Sequence, residues 1–461
     1  WTGTAREPNF YNGVQKERVF ENAFLEYGCM KSMTAPLNRK MYFLTDPIED
    51  RAKDWLDYKI NYQATFAAQL MYPMVDTYEV MPWPDRIYQG LYRIAGTDQK
   101  ERIPRSYSTQ MQTMVNTLND IRTSDKKITG TQGIGVLMAN SLMFQRFPNH
   151  NGYDDPQFSS FYGQTLPLLK RGIPVELVHM ENTPFKETFK GLHILVMSYS
   201  NMKPMKLEYH NYLADWVKKG GILIYCGEDI DPYQTVLEWW NTDGNEYKAP
   251  SEHLFEKMNL SRNPGEGTYR YGKGTVIVMR EDPKHFVLKA GNDQKYFETI
   301  ASAYQKKIGK EIETKNSFIV ERGPYTIAAV MDESVSKEPL TLSGLYIDLF
   351  DKDLPVLTSK QIQPGEQGYL YDLNKVSGKI KAKVLCGASR IYDEKVSKQS
   401  YSFVAKSPIN TTNVSRVLLP RKPEKIRVNG KEEQPEWDES SKTLLLSFEN
   451  DPAGVNVSIE W

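Results

Sequence analysis

The sequence predicts a mixed α/β chain with three parts: the C-terminal part of a (β/α)8 barrel over 1–123, an open doubly wound α/β domain over 131–305, and a β-sandwich region over 312–461. Helical and strand-like patterns alternate through the first two parts, which is typical of parallel sheets. After residue 312, short runs alternate apolar and polar residues between Gly, Pro and Asp turns. That change indicates antiparallel strands in one or two sandwich modules.

The first part shows the order helix, strand, helix, strand, helix. Helical spacing covers 17–33, 52–73 and 107–121, and the runs "RKMYFLTD" and "VDTYEVMPW" predict the two strands. Two strands cannot make a stable parallel sheet, because such sheets are buried on both faces. We therefore expect a barrel whose N-terminal part is absent from this sequence and acts as a partner of the chain.

The second part predicts five strands, "GIGVLMANS", "IPVELVHM", "GLHILVMSY", "ILIYCGED" and "GKGTVIVM", with helices between them and a last helix "KYFETIASAYQKKIG". The run "YGKGTVIV" predicts a tight turn into an edge strand. Neither GxGxxG nor GxxxxGK[ST] occurs, so no nucleotide-binding loop is indicated. In the third part, Asn429-Gly430 is the signal of a hairpin.

The composition excludes several classes of partner. Lys+Arg and Asp+Glu both count 58, so the formal net charge is zero and favours neither nucleic acid nor an anionic membrane surface. No run of 18 apolar residues occurs, and we expect no membrane span. The chain starts with Trp and shows no signal peptide, so we expect a processed chain or a piece of a longer one. A periplasmic, secreted or cytoplasmic location stays open.

Cysteine and histidine predict neither a metal site nor a cofactor. Cys29, Cys226 and Cys386 are far apart and odd in number, which fits neither a metal spacing nor a disulfide framework. The six His residues show no ligand spacing. Cys226 lies in an apolar strand and is most simply a buried small side chain, although with His253 it is also a candidate nucleophile.

Acidic residues follow the two predicted strands of the first part, where a (β/α)8 barrel carries its chemistry. Asp46 closes the first strand, and Pro47 stops the strand there, so the turning backbone can aim Asp46 into the mouth. Glu49 lies on the following loop, and Glu79 lies within or near the end of the next strand. Two carboxylates facing one glycosidic bond are what glycoside hydrolysis requires, so Asp46, Glu49 and Glu79 are the predicted catalytic residues.

A structural role competes with this interpretation, since acidic residues are common in the first turn of a helix. Asp54 is most simply an N-cap, and Glu79 could instead point into the helix layer.

Four further residues are predicted to contact a sugar substrate. Trp83, between two prolines, would supply a stacking platform, and Arg86 follows it and can lower the pKa of a neighbouring carboxylate. Tyr78 lies on the same strand as Glu79. Arg6 either reaches the same mouth or binds a local carbonyl.

These runs resemble a known family. The last two strands of a clan A glycoside hydrolase barrel are similar to the runs "RKMYFLTDPIEDRAKDW" and "INYQATFAAQLMYPMVDTYEVMPWP". Within that clan, the runs resemble the family 42 β-galactosidases. "YLADWVKKGGILIYCGED" and "YRYGKGTVIV" resemble the amidotransferase-like (flavodoxin-like) domain that mediates trimers in that family. The resemblance implies a carbohydrate substrate, a homo-oligomer (trimer or dimer), Asp46 in the nucleophile place and Trp83 as the sugar floor.

The chain also departs from family 42. That family uses Glu as nucleophile where this strand ends in Asp, and its acid/base, on strand four, would lie in the absent part of the barrel. A related glycoside phosphorylase therefore stays open beside a glycoside hydrolase.

Two other functions are also open. A non-catalytic carbohydrate-binding or assembly protein predicts an aromatic surface on the β region. An amidotransferase-like enzyme requires Cys226 to be exposed near His253. The hydrolase hypothesis has its own test: it fails if Asp46 points into the helix layer.

Overall fold

The computed structural model describes residues 6–37, 39–46, 52–80, 84–144, 159–230, 239–376 and 381–461. Within these ranges, helices and parallel strands occur up to Ile308, and antiparallel strands prevail after it, which confirms a mixed α/β chain. None of the helices in this described portion is long and apolar enough to span a membrane.

The first part has the predicted helix–strand alternation, with two small hairpins added to it. Its elements are β1 (Asn9–Tyr11), β2 (Val14–Lys16), α1 (Val19–Thr34), β3 (Phe43–Thr45), α2 (Trp55–Leu70), β4 (Tyr78–Val80), α3 (Asp85–Tyr88), β5 (Leu91–Arg93), β6 (Lys100–Arg102) and α4 (Arg105–Thr117). β3 and β4 pair in parallel, while β1–β2 and β5–β6 are antiparallel hairpins. The sequence did not predict either hairpin, because these three-residue strands do not lie within longer apolar runs of the kind that marked β3 and β4.

Helix α2 begins where the sequence placed its cap. The Asp54 carboxylate accepts the backbone N–H of Asp57 at 3.0 Å, which confirms Asp54 as an N-cap. The buried side of α2 meets α1 and the third part, and the ring centroids of Phe66 and Tyr369 lie 5.6 Å apart. The helix layer of the first part is therefore covered by a β-sheet from far along the chain.

The second part is built on one six-stranded sheet with the order β11-β12-β10-β9-β7-β8. Its elements are β7 (Ile134–Met138), α5 (Ser141–Phe144), α6 (Ser159–Leu169), β8 (Glu176–His179), β9 (Ile194–Met197), α7 (Tyr209–Lys218), β10 (Ile222–Cys226), α8 (Pro250–Lys257), β11 (Gly267–Tyr271), β12 (Gly274–Met279), α9 (His285–Leu288) and α10 (Gln294–Ile308). The pairs β12–β10, β10–β9, β9–β7 and β7–β8 are parallel. All five predicted strands lie in this sheet.

The prediction of an edge strand after Gly272 is wrong. β11 pairs antiparallel with β12 and takes the edge, so β12 lies between β11 and β10. The run 267–271 is polar and mostly exposed, which is why its alternation did not stand out as a strand. At the opposite edge, β8 contacts α1, where Lys31 Nζ lies 2.8 Å from Glu176 Oε2.

The third part is antiparallel throughout its described strands. They are β13 (Ser317–Arg322), β14 (Tyr325–Val330), β15 (Leu340–Asp348), β16 (Val356–Ile362), β17 (Gln367–Asp372), β18 (Lys383–Gly387), β19 (Arg390–Val396), β20 (Ser400–Lys406), β21 (Thr412–Leu418), β22 (Lys425–Val428), β23 (Lys431–Glu433), β24 (Glu436–Asp438), β25 (Thr443–Glu449) and β26 (Val455–Glu460). They form three sheets, in the orders β13-β14-β17-β15-β16, β18-β21-β25-β24 and β19-β20-β26-β22-β23.

Among the strands that the structure describes, the last two sheets make a sandwich. Their strands bury a shared apolar cluster, with Phe403 and Ile459 from one sheet and Val417 and Leu444 from the other. The first sheet instead packs on the helices of the first part. Between β22 and β23, Asn429-Gly430 has φ values of 48° and 79°, as the predicted two-residue hairpin turn requires.

Candidate functional site

The two parallel strands of the first part have one face toward the helices. Phe43 is fully buried, and its ring centroid lies 4.6 Å from that of Tyr27 on α1. Side chains alternate along a strand, so Leu44 and, one residue past the strand, Asp46 belong to the opposite face. Glu79 pairs in register with Leu44 and shares that face. Asp46 and Glu79 therefore project from the side of the sheet that does not pack on the helix layer.

Asp46 is held by an arginine from the segment that follows the second strand. Only 5% of Asp46 is exposed, and its Oδ1 is ion-paired with Nη1 of Arg86 on α3. Asp46, predicted as a catalytic residue, and Arg86, predicted as a substrate contact, are thus brought together in the structure. Because this ion pair is largely shielded from water, loss of either side chain would leave the other charge buried without a partner.

The other predicted residues of the described first part do not join this pair. Glu79 is exposed on β4. Tyr78 belongs to the helix-facing side with Phe43, donates its hydroxyl to the carbonyl of Val75 at 2.6 Å and accepts from Arg322. Burial raises the pKa of Tyr78 to about 12, so its phenol stays protonated at neutral pH.

Arg6 is buried and bound to carboxylates. Its guanidinium lies 3.0 Å from Asp57 Oδ2, in the first turn of α2, and 3.3 Å from Glu17 Oε2. These partners differ from the local carbonyl considered above. The predicted residues Glu49 and Trp83 lie outside the described residues.

A carboxyl group that the sequence analysis missed lies in helix α1. Burial, and next the charge of Glu7, raise the pKa of Glu26 to about 8. A signal was present in the sequence, since Glu26 follows Ala23 by three residues and Val19 by seven, which is the spacing of a buried helix face. Glu26 belongs to the helix layer rather than to the strand ends, and it retains a proton at neutral pH.

The second part contains a buried polar chain at the carboxyl side of its sheet. His210 Nδ1 and His253 Nδ1 lie 2.7 Å apart, and His210 Nε2 is hydrogen-bonded to the hydroxyl of Tyr199. Burial lowers the pKa of His253 to about 4 and that of His210 well below its ordinary range, so both rings are neutral at pH 7. The polar atoms of these three buried side chains thus find hydrogen-bond partners in one another.

Cys226 does not provide a nucleophile beside these histidines. Its side chain is fully buried, and burial raises the pKa of its thiol far above the ordinary value. The amidotransferase-like catalytic hypothesis required an exposed Cys226 and is therefore wrong. Over the described ranges, no three His, Cys, Asp or Glu side chains group closely enough to hold a metal ion.

Comparisons with known proteins give similarities at the level of structure only. No protein-family model matches the chain, and no curated protein matches it either. Among solved structures, it is similar to a catalytic mutant of Gan42B, a GH42 β-galactosidase from G. stearothermophilus, with 10% identity and a TM-score of 0.44 over 77% of this chain. It is also similar to a β-galactosidase from Bacillus circulans sp. alkalophilus, with 11% identity and a TM-score of 0.41 over 77% of this chain.

A third similarity is to a rhamnosidase from Novosphingobium sp. PP1Y, with 10% identity and a TM-score of 0.38 over 97% of this chain. The chain spans 56% of the Gan42B structure, 58% of the Bacillus enzyme and 45% of the rhamnosidase.

Proposed function

We propose that this chain is the C-terminal portion of a glycoside hydrolase that acts on oligosaccharide or polysaccharide glycosides. The observation that carries the proposal is the position of Asp46. It follows a parallel strand at its carboxyl end, belongs to the face turned away from the helices, and is buried against Arg86. In barrel enzymes this is where acid–base and nucleophilic carboxylates act.

In this proposal, Asp46 is the nucleophile or the general base, and Arg86 fixes its orientation. The second carboxylate comes either from Glu79 on the neighbouring strand, from Glu49, or from the part of the barrel that this sequence lacks. A separation of about 5 Å between the two carboxyl groups would specify a retaining reaction, and one of about 6.5–9.5 Å an inverting reaction. Trp83 is the proposed sugar platform. A glycoside phosphorylase would use the same carboxylate with phosphate in place of water.

An N-terminal barrel part is proposed to cover the open sides of β3 and β4. The first part exposes several large apolar side chains, among them Val14, Tyr42, Leu56, Ile60 and Leu91, each between 46% and 56% exposed. A two-stranded parallel sheet such as β3–β4 also needs further strands and cover on both faces, which supports this proposal. The second part is proposed as the amidotransferase-like domain that assembles the protein into a trimer or dimer.

The test is hydrolysis of a panel of nitrophenyl glycosides by the full-length gene product that contains this chain. Asp46→Asn is expected to lower kcat at least about a thousandfold, since it removes a charged group that acts in the transition state. Asp54→Asn is the matched control, because this cap residue lies on the same connection and Asn also caps helices. An Asp46→Asn variant with the kcat of the wild type would disprove the proposal.

A non-catalytic carbohydrate-binding protein is the second candidate. This function predicts an aromatic surface on the β region, and it is favoured by Tyr392 on β19, whose side chain is 44% exposed. Absence of turnover on the whole panel, together with retained sugar binding, would select this function.

A further inference from the structure

A groove of about 420 Å³ lies between the end of helix α4 and the sandwich. One wall comes from α4 and the turn after it, and the other comes from β18 and β19. The groups of interest on these walls are Asn116, Asn119, Asp120, Arg390, Tyr392 and Glu394. None of these residues belongs to the elements that hold Asp46, and no sequence motif singled them out.

Helix α4 is fixed to the sandwich by three hydrogen bonds, of which the first two lie outside the groove. Thr109 Oγ1 on α4 donates to the carbonyl of Thr412 at 2.8 Å, and the guanidinium of Arg105 donates to the carbonyl of Asn410 at 2.8 Å. Asn116 donates through Nδ2 to the carbonyl of Gly387 at 3.0 Å. A groove with walls held in this way loses little freedom when a ligand binds.

Strand β19 is locally distorted at the groove. Its register with β20 shifts between Tyr392 and Lys395, and Asp393 has a φ of 52°, in the left-handed region. Bulges re-aim side chains and recur beside binding sites. Tyr392 lines the groove and is 44% exposed, so its ring is available to a ligand. Lys406 Nζ lies 5.5 Å from the ring centroid, and this cation–π contact restrains the ring.

The chemistry of the lining defines the class of ligand. The two amides donate and accept hydrogen bonds, the carboxylates of Asp120 and Glu394 accept, and the guanidinium of Arg390 donates. The two carboxylates are balanced by the guanidinium of Arg390 and by the ammonium of Lys406 beside Tyr392, so no net charge at the groove selects a charged ligand. Asp120 already accepts from Tyr325 and Glu394 from Tyr401, and each carboxylate keeps a further oxygen. A neutral molecule with many hydroxyl groups and an apolar ring face to stack on Tyr392 matches these remaining acceptors and the Arg390 donor.

We propose that this groove is a carbohydrate-binding site for a neutral oligosaccharide, separate from the Asp46 site. Its volume falls within the range of about 300–1,000 Å³ for small-molecule sites, enough for one or two sugar rings. The stacking comes from Tyr392, and the hydrogen bonds come from Asn116, Asn119, Asp120 and Arg390. The site recruits a polysaccharide chain and performs no chemistry on it.

The experiment is affinity electrophoresis of the whole chain in gels that contain soluble galactan, xylan, mixed-linkage β-glucan or polygalacturonate. Saturable retardation by at least one neutral polysaccharide is expected. Tyr392→Ala is expected to weaken that binding about tenfold, and Asn119→Ala to weaken it measurably. Tyr212→Ala is the matched control, since Tyr212 is 39% exposed on α7 in the second part and lies outside the groove.

Three outcomes overturn the proposal. The first two are no binding to any neutral polysaccharide and binding to polygalacturonate alone. The third is unchanged binding by Tyr392→Ala and Asn119→Ala when both variants keep the wild-type circular dichroism spectrum. Asp46→Asn separates this site from the proposed active site. Binding that depends on Asp46 but not on Tyr392 disproves the groove and leaves the hydrolase proposal standing. Binding that depends on Tyr392 in a protein without turnover supports the groove alone.

Discussion

Glu26 gives the structure's sharpest prediction about stability. Its pKa is raised from 4.5 to about 8, chiefly by burial in helix α1, so the folded protein holds a proton that the unfolded chain releases. The contribution of this group to stability is fully present below pH 4.5 and is lost as the pH rises toward 8. The pKa of Glu26 differs by about 3.5 units between the folded and the unfolded state, and each unit corresponds to about 1.36 kcal/mol. Ionisation of Glu26 can therefore lower the free energy of unfolding by at most about 5 kcal/mol.

Glu26→Gln replaces the carboxyl group with a neutral group of the same shape. Because the Glu26 side chain is not fully shielded from water, we expect about half of the limit, or about 2–3 kcal/mol. At pH 9 the variant should be more stable than the wild type by that amount, and at pH 5 the two should agree within about 1 kcal/mol. Urea unfolding followed by circular dichroism at pH 5, 7 and 9 measures the difference.

Two further variants make this test specific. Glu101→Gln removes the same charge from an exposed strand of the first part and should change stability by less than about 0.5 kcal/mol at every pH. Glu7→Gln should lower the pKa of Glu26 and weaken the pH dependence, because the charge of Glu7 raises that pKa. Equal stability differences between Glu26→Gln and wild type at pH 5 and pH 9 would refute the reasoning.

Other substitutions test the contacts that join the parts. Arg322→Met should destabilise the chain by about 2–4 kcal/mol in urea unfolding, because methionine removes the hydrogen bonds that the buried guanidinium donates to the carbonyls of Val75 at 2.6 Å and Arg122 at 3.3 Å. An unchanged urea midpoint would contradict this. Asp54→Ala should cost about 1 kcal/mol through loss of the cap on the Asp57 N–H, whereas Asp54→Ser should restore most of it; equal melting of both variants would count against the cap.

The sequence by itself determined the features that depend on neighbouring residues. Alternation of period 3.6 and period 2 placed the helices and the main strands, since each pattern needs only a local window. The cap at Asp54 and the hairpin at Asn429-Gly430 followed from single side chains and their permitted backbone angles. The positions of Asp46 and Arg86 after the two strands also followed from local patterns, whereas their ion pair was not predicted.

Only the tertiary structure decided which surfaces meet. The sheet of β13–β17 packs on α1 and α2 instead of forming a second sandwich, because Phe318 and Tyr369 find aromatic partners about 300 residues earlier in the chain. Burial from all sides raises the pKa of Glu26, and the groove beside Tyr392 exists because α4 lies against the sandwich. Such features arise from contacts between residues far apart in sequence, and no local pattern of side chains records them.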